Sequence, residues 1–133
     1  MARTTLSLAI PALAILLLSS ITAVSQTSAD EAYLERQNDQ GIVAYCIAQG
    51  FLDPDSEEFF HVGTVAIFGE VEPSPESELH IQKGRDGISY LQGDEQSLED
   101  LAEANDVDVK AVCEQYKSQV TLGRMMAKNK AGQ

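Results

Sequence analysis

Two cysteines and two histidines are the scarcest reactive side chains in this 133-residue sequence. Cys46 lies in GIVAYCIAQG and Cys113 in DVDVKAVCEQYKSQV, both runs with a strong apolar component. In an exported chain such a pair oxidises to one disulfide with no ambiguity of connectivity, and two buried free thiols are the alternative. His61 and His80 each follow a glutamate by four positions, Glu57 and Glu76. On a helix that spacing puts carboxylate and imidazole on one face, within reach of each other. One chemistry open to them is a pH-responsive pair, because a neighbouring carboxylate favours the imidazolium. Another is a divalent metal site, which needs the two helices to converge because two ligands per helix are too few. A solvated surface pair is the plainer reading, and neither a metal nor any other cofactor is expected.

Catalytic constellations are not distinguished from background. Adjacent carboxylates are abundant (Glu57-Glu58, Asp94-Glu95, Glu99-Asp100), so a glycosidase-like acid/base pair arises here by chance. The chain has no tryptophan to line a sugar cleft. It has no local signature of Ser-His-Asp or Cys-His catalysis, no phosphate-cradling glycine loop and no metal-binding cysteine pattern. A binding protein is expected and an enzyme is not.

The elements that must position these residues read mostly as helices. Asp108 is a natural N-cap, with Val107 placed to staple onto Val112. Val109, Val112, Cys113, Tyr116 and Val120 then fall on one face, which sets Cys113 inward. A first helix is expected from Asp30 to Gln49, polar and acidic at its opening and apolar all round from Ile42, with Gly50 as its stop. Asp53-Pro54 and Ser74-Pro75 each offer a cap followed by proline and acids, launching helices to about Phe68 and about Leu91. Ser97 opens a short helix ending near Asn105. The fold class expected is therefore all-α, with five helices starting near Asp30, Pro54, Pro75, Leu98 and Val109. The alternative is α+β, with a small antiparallel sheet within 59–92, because His61–Val71 is β-rich and Asp86-Gly87 between apolar residues is a hairpin signal. Gly63, Gly84 and Gly87 count against helix by about 1 kcal/mol each, unless they let helices approach closely.

The first 29 residues read as an export signal: Arg3, an apolar run from Ala9 to Leu18, then small residues, with cleavage expected after Ser25 or Ala29. Ser19 and Ser20 interrupt the run before it reaches the length of a membrane span. An uncleaved anchor is the alternative. Residues 30–123 form one expected helical domain and 124–133 a basic tail that frays. The expected location is periplasmic or secreted, without stable membrane association after cleavage.

Charge is the most unusual feature. All 21 acidic residues lie after position 29, against eight Lys and Arg, a net −13 for residues 30–133. Asp30 to Asp108 holds 20 of the acids and only Arg36, Lys83 and Arg85 as cations. Such a surface repels nucleic acid and anionic lipid and attracts cationic proteins. SLEDLAEANDVDVKAVCEQY has the spacing of a DNA-binding helix-turn-helix, but Lys110 and Lys117 stand alone on an acidic chain, and the stretch reads as a helical corner.

Cys46 followed by Phe51-Leu52 and a Phe-rich segment with Val62-Gly63, and Val112-Cys113 with Gln115 and Lys117, resemble the two cysteine regions of the HdeA-type periplasmic acid-stress chaperones. The likeness covers two short stretches. The cysteines stand further apart here, and Ser74–Gly93 has no counterpart. The resemblance implies a small helical chaperone working in acid. The alternative, from the charge, is an inhibitor or immunity-type protein that neutralises a cationic hydrolase or toxin.

Overall fold

The computed structural model describes the chain from residue 21, with side chains from residue 29. The first 20 residues of the expected leader, including Ala9–Leu18, lie outside the described residues. Six helices and one hairpin follow: α1 (Ile21–Ala48), α2 (Ser56–Phe68), α3 (Pro75–Arg85), β1 (Ile88–Leu91), β2 (Asp94–Ser97), α4 (Leu98–Ala104), α5 (Val109–Glu114) and α6 (Lys117–Ala131). The protein is mostly helical, as expected, with a small antiparallel sheet of the kind held as the alternative.

Local chemistry sets most boundaries. Gly50 ends α1 in the left-handed conformation, φ 78°, while Phe51 N–H returns to Cys46 C=O at 2.9 Å. Ser74 caps α3 in a reciprocal pair with Ser77, with Pro75 in the first turn. Ser97 accepts from Asp100 N–H and Asp108 from Ala111 N–H, as N-caps do. Gly69, φ 76°, stops α2 as expected. The α2 start lies later than expected: it opens at Ser56, and Asp53 meets Arg124 instead of capping.

Three expectations are corrected. Helix α3 ends at Arg85 and not near Leu91, because Gly87 turns the chain at φ 75°. The sheet spans 88–97: β1 lies within the 59–92 segment considered for it and β2 just beyond, with Ile88 paired to Ser97 and Leu91 to Asp94. Its two-residue turn, Gln92-Gly93, has φ of 52° and 89°, the geometry that matches strand twist in a tight hairpin. The long C-terminal helix is broken: Gln115 and Tyr116 make short-range bonds to Val112 and Cys113, and α6 restarts at Lys117. This sixth helix runs through 124–131, the greater part of the 124–133 tail expected to fray.

Helix α1 is the central element, packed against α2, α3, α5 and β1, while α6 packs on α2. The α1–α3 crossing is backbone on backbone. A Cβ on Gly41 would stand 2.0 Å from Ile81 O, and one on Gly84 2.2 Å from Asn38 O. The core gathers Ile42, Val43 and Cys46 from α1 with Leu52, Phe60, Leu98, Ala102, Val112, Cys113 and Val120. The Cys46–Cys113 disulfide lies inside it, with Cα atoms 5.6 Å apart and both residues fully buried.

Candidate functional site

The geometry separates the two histidine pairs. His61 is exposed on α2, and Glu57 turns to Arg85 at 3.3 Å. His80 is buried; its Nδ1–H donates to the backbone carbonyl of Glu76 at 2.9 Å, and its ring leans on Tyr90 at 4.8 Å. Neither imidazole meets its carboxylate in an ion pair. The two histidines stand in different clefts, and no cluster of three or more metal-binding side chains occurs among the described residues.

The more polar site is a cleft of about 590 Å³ where α1, α2 and α3 meet, closed at one side by the 69–74 connection. Four carboxylates line it, Asp55, Glu57 and Glu58 from α2 and its approach and Glu78 from α3, together with His61 and no Lys or Arg. Acids are favoured in the first turns of α2 and α3, and both first turns line the cleft. Asp55 and Glu57 meet Arg124 and Arg85 at the cleft edge. Glu58 and Glu78 have no cationic partner among the described residues. The floor is α1, which contributes Tyr33, Gln37 and Gln40. Gln40 donates through Nε2 to Glu57 C=O at 3.0 Å.

On the far side of α2 a second groove, about 690 Å³, runs between α2 and α6. It is mainly apolar, with Val62, Val65 and Ala66 facing Met126 and Ala127.

A half-buried polar cluster joins α1 to α2 and α6 beneath these surfaces. The Arg36 guanidinium lies over the Phe60 ring at 3.7 Å, donates to Thr64 Oγ1 at 3.0 Å and reaches Gln119 Oε1. Desolvation lowers the Arg36 pKa against the opposing pull of Asp39. Burial raises the Asp39 pKa above the usual carboxylate range, although a hydrogen bond from Tyr116 and the charge of Arg36 oppose it. Burial, with Asp39 beside it, pushes the Tyr116 hydroxyl strongly upward. This cluster positions helices, and it lines neither the acidic cleft nor the α2–α6 groove.

Sequence reasoning identified Glu57, His61, Glu76 and His80 but missed Gln37, Gln40, Glu58 and Glu78 as a group. The available signal was Gln37 and Gln40, polar residues at helical spacing just before the apolar run of α1. No family model, curated protein or solved structure matches this chain. None of the described helices is long and apolar enough to cross a membrane.

Proposed function

We propose that this protein works outside the cytoplasm by binding a cationic protein, as an inhibitor or immunity-type protein does when it neutralises a hydrolase or toxin. The observation that carries the reading is the acidic cleft, four carboxylates and no Lys or Arg on its walls, in a chain of formal net charge −12. Charge of one sign focused in a concave surface steers and orients a partner of the other sign. The core disulfide and the apolar leader run support the extracytoplasmic placement. The test is binding of basic proteins from the protein's own compartment to the immobilised domain. A specific partner should be released by about 0.3 M salt and lost in the Glu58→Lys, Glu78→Lys double variant. Association indifferent to both salt and these charges would rule out the reading.

A second reading, an acid-stress chaperone, is favoured by the apolar groove between α2 and α6. Apolar surface of that kind suits unfolded clients. It requires suppression of aggregation of several unrelated proteins at about pH 3, weakened by Val65→Asp or Ala127→Asp.

A further inference from the structure

The floor of the acidic cleft carries amides that the fold leaves partly unused. Gln37 and Gln40 stand one turn apart on α1 and are only 7% and 8% exposed, yet both line the cleft. Gln40 commits its NH₂ to Glu57 C=O, and its Oε1 is the one buried side-chain oxygen or nitrogen among the described residues without a hydrogen-bond partner. The Gln37 side chain hydrogen-bonds no described residue either. An amide oxygen taken out of water and given no donor is destabilising, and such groups occur where a ligand or bound water supplies the missing hydrogen.

What the cleft lacks is specific: a hydrogen-bond donor to Gln40 Oε1 and positive charge opposite Glu58 and Glu78. What it offers besides is apolar wall, from Val71, Pro73 and Ile81. A donor-bearing, positively charged head on an apolar stem meets all three conditions at once, and that is a long basic side chain. Resting on the cationic-partner reading above, we propose that this cleft is an anchor pocket for one Lys or Arg side chain of the partner. Gln40 Oε1 and the Gln37 amide accept its N–H groups, while Glu58 and Glu78 offset its charge. The volume is that of a pocket for a small organic group and accommodates an extended basic side chain. The unpaired amide separates this site from the other acids of the surface, which have only charge to offer.

The test uses the disulfide-bonded protein and a blocked hexalysine peptide in about 20 mM salt, where surface charge is weakly screened. The side-chain NH₂ signals of Gln37 and Gln40 in ¹H–¹⁵N spectra should shift during titration, in step with binding measured by calorimetry. Gln40→Met should weaken binding about tenfold with the salt dependence unchanged, since it removes an uncharged partner. Glu58→Gln with Glu78→Gln should weaken binding and flatten the salt dependence. If Gln40→Met does not fold, the amide titration in the unaltered protein decides alone. Peptide binding with the amide signals unmoved would overturn the anchor pocket and leave the cationic-partner reading standing. Absence of hexalysine binding would remove both. Spermidine binding as tightly as hexalysine would overturn the assignment to a protein side chain in favour of a free polyamine.

Discussion

The Tyr116 hydroxyl donates to Asp39 Oδ1 at 2.7 Å, across a sequence separation of 77 residues. The bond joins α1 to the short junction between α5 and α6, three residues beyond the disulfide. Arg36 and Phe60 complete the surroundings, with the Phe60 and Tyr116 rings edge to face at 5.9 Å. A carboxylate is thus held largely out of water with a neutral donor as its nearest partner, and burial dominates its pKa.

Acid should therefore not weaken the fold through this group. Its pKa is raised in the folded state, so its contribution to stability is fully present below the ordinary carboxylate range near about 4 and is lost as pH rises through the folded pKa. Mutual repulsion among the surface acids acts in the same direction. The thermal midpoint at pH 5 in low salt should be no lower than at pH 7.5, and Asp39→Asn should reduce the difference. A midpoint that falls between those two values would refute the argument.

The disulfide closes a loop with a sequence separation of 67 residues inside the core. In the chain-entropy model such a link stabilises by roughly 4 kcal/mol. Replacing both cysteines by alanine should lower the unfolding free energy by about that amount in urea titrations. Thiol titration of the denatured native protein should find no free group.

Gly41 and Gly84 should be intolerant of a single methyl group. Each added Cβ would enter backbone of the facing helix, which cannot swing aside as a side chain can. Gly41→Ala should destabilise by about 3 kcal/mol or more, at the upper end for overpacking. The comparison is Gly132→Ala, whose Cβ finds its nearest atom at 3.5 Å and should change stability by less than about 1 kcal/mol. Equal costs would show that the crossing is looser than described.

Asn38, 1% exposed, fastens the hairpin to α1. Its Nδ2 donates to His80 C=O and Ile88 C=O, and its Oδ1 accepts from Tyr90 N–H. Asn38→Leu removes the side-chain partner of all three backbone groups, of which His80 C=O alone lies within a helix, and should cost about 3 kcal/mol. The amide of Tyr90 should lose hydrogen-exchange protection more than that of Val43, because the hairpin opens before the core. Equal loss at both would place Asn38 in the global fold and not in local attachment.

Helix starts were legible because they depend on residues within one turn of each other. Ser74-Pro75, Ser97 and Asp108 act as caps wherever such segments lie, and Val112, Cys113 and Val120 are buried on the face their spacing specified. The disulfide was legible because only one pairing exists. The hairpin was misplaced because Gly87 and Gly93 are both competent to end a helix. Choosing between the two positions requires Asn38, 50 and 52 residues away from its partners Ile88 and Tyr90.

The candidate site shows the same division. Its charges were evident from composition, but Glu58 and Glu78 come to face one cleft only because Gly41 and Gly84 let α1 and α3 cross at backbone contact beside α2. By itself the sequence determined the caps at Ser74, Ser97 and Asp108, the inward face of Val109–Val120, the single disulfide and the acidic surface, all of which follow from neighbours or from counting. The tertiary structure alone decided where the helices cross, where the C-terminal helix breaks and that Gln40 Oε1 is enclosed without a donor. Those outcomes depend on backbone approaches between residues far apart in the chain, and no local propensity encodes such distances.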